Sequence, residues 1–202
     1  MNETKWSRPT SLDDVVRHIH DDPSARLHGG GTGLLRNRST KRLLVDLSPV
    51  LSNGVEVRDR SFTCAARATF RDVIGVIGTV EPEHLLVRAL RSAATPALRN
   101  RITVGGSIAD FPPWTNIVAP LVALEATVGF VGDAERSVPI EEYLTNREFR
   151  RRTVVTAIDV PRMGERRGWW YRATRLHFDY ASYSVAIAAS LTSGLRPTFS
   201  DI

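Results

Sequence analysis

Two glycine-rich runs carry the most chemically informative pattern in the sequence. Gly29-Gly30-Gly31-Thr32-Gly33 is the first, and Thr103-Val104-Gly105-Gly106-Ser107 follows about seventy residues later. Glycine lets the backbone adopt positive φ and brings N–H groups close to a ligand. Successive N–H groups form a nest for an anion, and threonine or serine hydroxyls add donors. Two nests of this kind could grip the two phosphates of a dinucleotide, each helix N-terminus adding about 0.3–1 kcal/mol per contact. On this reading Gly105 and Gly106 matter more for the ligand than for folding. Neither run fits G-x-G-x-x-G, and the phosphate loop G-x-x-x-x-G-K-S/T is absent. Taken singly, each run also reads as an ordinary turn or close packing point.

Competing constellations are weaker. His28-Gly29-Gly30-Gly31 matches the H-G-G-G oxyanion element of some esterases, and Gly105-Gly106-Ser107-Ile108-Ala109 is a loose G-x-S-x-G. A nucleophile elbow needs a helix directly after its serine, and Pro112-Pro113 follows too soon for a normal one. His18 and His20 stand two apart in a predicted helix and point to different faces. His84 and His177 have no partner at ligand spacing, so no metal site is expected. Cys64 is the single cysteine, which excludes an intrachain disulfide framework and a cysteine-rich zinc or iron–sulfur site made by this chain alone.

The 202 residues carry 27 Lys and Arg against 22 Asp and Glu, a formal charge of +5. The arginines are spread along the chain. The densest run, Arg147 with Arg150, Arg151 and Arg152, has Phe149 as its only aromatic, so it predicts a solvated face or an anionic cofactor rather than a nucleic-acid site. Apolar stretches fall far short of the ~20 residues of a membrane span. The chain is expected in the cytoplasm, with no membrane and no nucleic acid as partner.

The elements that must position these loops are mostly readable. Ser11 with Asp13 and Asp14 opens a helix that ends at Asp21-Asp22-Pro23. Ala25 to His28 and Leu43 to Leu47 read as strands, suited to a small parallel sheet. Val55 to Arg58 and Phe62 to Ala65 alternate as paired strands. Thr69 opens a helix through Ile77, and a second helix is predicted over Glu83 to Ala94. Thr95 to Pro113 reads as punctuated loop. Ile117 to Leu124 reads as a buried helix and Ile140 to Leu144 as one helical turn. Ala126 to Val131, Val154 to Val160 and Ser184 to Leu191 read as strands. Asn53-Gly54 is the best boundary between two lobes, and Met163 to Gly168 is a second hinge-like stretch.

Arg99-Asn100-Arg101-Ile102-Thr103-Val104-Gly105-Gly106-Ser107-Ile108-Ala109 closely resembles the second FAD loop of the molybdenum-hydroxylase flavoproteins, roughly R-N-x-x-T-I-G-G-N-I-A. That family includes the flavin subunits or domains of xanthine dehydrogenase and aerobic carbon monoxide dehydrogenase. Gly29 to Leu35 resembles its first FAD loop. Pro112 to Asn116 and Pro120 to Leu124 occupy its proline-rich stretch and apolar helix, and Arg152 to Pro161 resembles its E-I-R-I-P strand. The match in order and spacing runs from about residue 10 to residue 190.

The resemblance implies an α+β, two-lobed FAD-binding fold of the PCMH type. A small N-terminal α/β lobe with parallel strands (1–54) would stand against a larger lobe with a mainly antiparallel sheet and flanking helices (55–165). Residues 166–202 would begin a truncated C-terminal flavoprotein domain. Carried over by position, Gly29, Gly30, Gly31, Thr32 and Gly33 with Thr103, Val104, Gly105, Gly106 and Ser107 would hold the pyrophosphate of FAD. Asn116 stands where the family has an aspartate facing the nucleotide. Val154 or Val155 would lie near the flavin, and a late family lysine falls at Tyr171, or at Arg172 with one residue gapped. Gly33, Ser107 and Asn116 depart from the family residues; asparagine still hydrogen-bonds a sugar hydroxyl, without charge. The implied role is an FAD-dependent oxidoreductase subunit, relaying electrons beside an iron–sulfur subunit and a molybdopterin-binding subunit. The alternatives are a stand-alone flavin oxidoreductase acting on a small organic substrate, or a member that has lost FAD.

Overall fold

The computed structural model describes residues 4–34, 43–176 and 180–190. The N-terminal part forms a three-stranded parallel sheet. Its strands are β1 (Lys5–Ser7), β2 (Arg26–His28) and β3 (Leu43–Asp46), in the order β1-β3-β2. Helix α1 (Leu12–Asp21) starts where Ser11 accepts a hydrogen bond from the Asp14 N–H at 3.1 Å. Asp13 and Asp14 sit at its positive end, and Val15 and Val16 turn inward. Strand β2 ends at His28, whose carbonyl accepts from Leu47 N–H, and the chain passes straight into Gly29. The sheet therefore fixes the root of the first glycine loop.

A five-stranded antiparallel sheet follows, in the order β4-β5-β8-β6-β7. These are β4 (Val55–Val57), β5 (Ser61–Ala65), β6 (Thr127–Val131), β7 (Glu135–Pro139) and β8 (Val154–Pro161). Helix α2 (Phe70–Val80) opens on a capping box in which Thr69 and Asp72 satisfy each other's backbone N–H. It buries Phe70, Val73 and Ile77. Helices α3 (Leu85–Arg91) and α6 (Val118–Ala123) add Leu85, Leu86, Leu90 and Leu121 to the same core. Each such side chain contributes about 1.5–3 kcal/mol on burial. Helices α7 (Ile140–Thr145) and α8 (Arg147–Arg152) lead into β8. Cys64 lies inside this core at 1% exposure, and burial, then the Asp159 charge, pushes its thiol up to about 12.

The alternation of parallel and antiparallel sheets with flanking helices bears out the expected α+β class. Thr95 to Pro113, expected as loop, instead contains helices α4 (Pro96–Arg99) and α5 (Val104–Asp110). Both are shorter than two full apolar repeats, and glycine at 105 and 106 opposes helix by propensity. Three strands also escaped the sequence reading: β1, β7 and β9 (Arg166–Ala173). β7 is a largely exposed edge, and β9 opens on two arginines, so neither shows an apolar run. Met163 to Gly168, expected as a hinge, is a turn into β9 with Gly164 at φ +54°. β9 pairs antiparallel with β10 (Tyr183–Ser190), Arg166 opposite Ser190. The expected end of that strand, Leu191, the end of the first-loop match, Leu35, and His177 lie outside the described residues. Among the described residues no helix is long and apolar enough to cross a membrane, and no three potential metal ligands converge.

Candidate functional site: a basic cleft between two glycine loops

Both glycine loops face one cleft of about 1600 Å³. That exceeds the roughly 300–1,000 Å³ of ordinary small-molecule pockets. Nine arginines line it against three carboxylates, Asp22, Asp110 and Glu148. A cleft with this surplus concentrates anions. Four of the nine are the run expected as a solvated face or an anionic-cofactor site: Arg147, Arg150, Arg151 and Arg152.

The first loop is held from behind. Gly31 sits at φ +78°, a conformation only glycine adopts without strain. Arg101 Nε and NH2 donate to the Gly30 carbonyl at 3.3 and 3.2 Å. A Cβ on Gly30 would lie 1.8 Å from the Arg101 carbonyl oxygen, so only glycine permits this approach. The N–H groups of Gly29, Gly30 and Gly31 find no acceptor among the described residues. Thr32 and Gly33 continue the loop along the cleft wall. The sequence reading expects an anion nest at this loop.

The second loop is built differently, which corrects the expectation of two equivalent nests. The Val104, Gly105 and Ser107 N–H groups donate to the carbonyls of Ala68, Ala66 and Thr103 at 2.9, 2.9 and 3.0 Å. Gly106 N–H donates to the Thr103 hydroxyl at 3.2 Å. Of that run only the Thr103 N–H meets no acceptor among the described residues. Gly105 lines the cleft and is at the same time packed against Ala66. A Cβ there would meet the Cβ, carbonyl oxygen and Cα of Ala66 at 2.7, 2.8 and 3.0 Å. Gly106 is the exposed glycine of the pair, and a Cβ there would meet only the Thr103 hydroxyl, at 2.7 Å. The Ser107 hydroxyl donates to the Thr103 carbonyl at 2.9 Å, which leaves it no role as a nucleophile.

The remaining expected residues reach the same cleft. Asn116 is buried at 6% exposure, and its amide makes no hydrogen bond among the described residues. Its amide opens on the cleft, where solvent or a ligand can meet it. Val154 and Val155 form an apolar wall. Arg172 lines the cleft, with NH1 donating to Ser92 O at 2.6 Å, whereas Tyr171 lies on the opposite, exposed face of β9. Arg99, an identity with the family pattern, binds the carbonyls of Arg91, Ala93 and Ala94 at 3.2, 3.0 and 2.9 Å. Its task is thus to close the C-terminal end of α3. Two features had no sequence signal. One is the Arg101 tie to Gly30, a contact across 71 residues. The other is Arg150, stacked 5.2 Å over the ring of Phe111, itself left-handed at φ 39°.

The fold and cleft define a class: an α+β protein with room for an anionic dinucleotide between two glycine loops. Residues 2–163 match the family described as FAD binding domain in molybdopterin dehydrogenase. The chain belongs to that family. The glyceraldehyde dehydrogenase medium chain of Sulfolobus acidocaldarius is 23% identical over 198 residues, covering 94% of this chain and 70% of its own. Carbon monoxide dehydrogenase from Hydrogenophaga pseudoflava contains a chain with a TM-score of 0.83 at 24% identity, over 95% of this chain and 71% of that one. Quinoline 2-oxidoreductase from Pseudomonas putida 86 gives 0.81 at 24%, over 95% and 70%. These likenesses establish the fold, and the family match makes FAD the cofactor.

Proposed function

We propose that FAD lies in this cleft with its pyrophosphate on the first glycine loop. The observation that carries the reading is that the N–H groups of Gly29, Gly30 and Gly31 meet no acceptor among the described residues, inside an arginine-lined cleft. Thr32 and Gly33 extend that loop beside the phosphates. Thr103, Val104, Gly105 and Ser107 form the rigid floor, and Gly106 leaves the space that a bound nucleotide fills. The Asn116 amide bonds a ribose hydroxyl, and Val155 with Val154 makes a dry wall beside the flavin. Arg172 places positive charge at the other end. When bound, FAD supplies the electron-accepting and electron-donating chemistry; the chain's own residues orient it and exclude water.

In this reading the chain is the electron-relay component of a molybdopterin-dependent dehydrogenase. Its partners are an iron–sulfur subunit and a molybdopterin-binding subunit, in the cytoplasm. Support comes from the family and from a curated relative that is itself a medium chain. The proposed units, 1–54, 55–165 and the start of a third at 166, follow the three sheets. Isothermal calorimetry with FAD and FMN tests the site. One FAD per chain is expected, with FMN, which lacks the adenylate half, bound at least about tenfold more weakly. Equal affinity for the two flavins would place the contacts outside a dinucleotide cleft.

A further inference from the structure

We infer that Arg101 is a positioning residue for the cofactor: it sets the direction of the Gly31 N–H by holding the Gly30 carbonyl. The inference rests on the placement of the FAD pyrophosphate against the first glycine loop. A trans peptide is planar, with its C=O and N–H pointing opposite ways. Arg101 takes the Gly30 carbonyl with two donors, Nε at 3.3 Å and NH2 at 3.2 Å. The Gly31 N–H of that same peptide must therefore point away from Arg101. Arg101 does not itself line the cleft, whereas Gly30 and Gly31 both do, and the Gly31 N–H meets no acceptor among the described residues.

This control is needed because the peptide lies between two glycines. Each tolerates φ of either sign, so the plane can turn over at little steric cost. Turned over, it would present a carbonyl oxygen to the phosphate in place of a donor. The charged, bidentate guanidinium opposes that flip more strongly than a neutral donor would. The close approach of Gly30 to the Arg101 carbonyl keeps the two backbones in register while the side chain reaches round.

The test uses the full chain, selectively labelled with ¹⁵N-glycine, which gives 14 sites to follow. Arg101→Ala should move or broaden the Gly31 amide signal in the apoprotein and raise the FAD dissociation constant about tenfold. Its melting temperature should stay within about 2 °C of the parent, since the side chain is exposed. Arg101→Lys, which keeps the charge and one donor, should recover most of the affinity. Arg60→Ala, which removes a charge far from the cleft, should change neither reading. Should Arg101→Ala not fold, Arg101→Gln carries the same expectation for signal and affinity. An unchanged Gly31 signal, or an affinity loss equal to that of Arg60→Ala, would overturn the inference. If the parent protein itself bound no FAD, the proposed site would fail, and the Gly31 signal would still decide whether Arg101 controls the peptide.

Discussion

Gly105→Ala and Gly106→Ala, one residue apart, should fail in opposite ways. At Gly105 the new methyl would lie 2.7–3.0 Å from three atoms of Ala66, two of them backbone. The same two residues share a 2.9 Å backbone hydrogen bond, so they cannot simply part. Overpacking of this kind costs about 1–3 kcal/mol. The helix-propensity gain of alanine over glycine, at most about 1 kcal/mol, opposes it. With the full gain subtracted the net cost is about 0–2 kcal/mol, which for a chain of 202 residues lowers the melting temperature by up to about 8 °C. At Gly106 the methyl meets only the Thr103 hydroxyl. Rotating that hydroxyl away loses a helix cap worth about 1 kcal/mol, and the propensity gain offsets most of it. Stability should hardly change, but the methyl enters the space reserved for the nucleotide. Calorimetric melting of the apoproteins beside FAD titration separates the two. If Gly105→Ala melts with the parent while losing FAD as strongly as Gly106→Ala, the division between packing glycine and cleft glycine is wrong.

Other consequences are more local. His84 is 1% exposed, with Nδ1 accepting from Leu86 N–H at 3.2 Å and Nε2 3.2 Å from the Pro161 carbonyl, an arrangement of the neutral ring. Burial holds its pKa below the ordinary value, so its contribution is complete above about pH 6.5 and is lost as pH falls from there toward the folded-state pKa. Urea denaturation should show stability falling by up to about 1.4 kcal/mol per pH unit between pH 6.5 and 5.5, and His84→Gln should flatten that slope. A parent protein with no slope there would contradict the assignment. Cys64 should resist iodoacetamide in the native protein at pH 8 and react fully in urea, because burial raises its thiol pKa to about 12; native labelling at a comparable rate would show the core to be open. Asn116→Ala should weaken FAD about tenfold with little loss of stability, its amide having no protein partner to lose; a stability loss with full FAD affinity would make it a core residue instead.

Much of the frame was legible because local chemistry announced it. Ser11 and Thr69 stand before apolar-periodic runs, and both are N-caps in the structure. The glycine loops showed through composition and spacing, and of the residues expected to meet at a cofactor all but the buried Val104 line one cleft. What stayed hidden depends on partners distant in sequence. Helix α5 forms although two of its seven residues are glycines, because Thr103 caps it and its first N–H groups find Ala66 and Ala68 on a neighbouring segment. Gly105 and Gly106 look equivalent as letters; only the position of Ala66 separates them. Arg101 looked like one more basic residue until its guanidinium was seen on the Gly30 carbonyl. The polar edge strand β7 offered no alternation to read, since the partner strand β6 supplies its ordering.

The central claim, that FAD occupies the cleft with its phosphates on the first loop, is tested most directly by hydrogen exchange of the full chain with and without the cofactor. The amides of Gly29, Gly30 and Gly31, which meet no acceptor among the described residues, should exchange fast in the apoprotein and slow markedly when FAD is added. The Val104, Gly105 and Ser107 amides, already bonded, should be slow in both states. FAD that binds while the first-loop amides continue to exchange at the apoprotein rate would contradict the account.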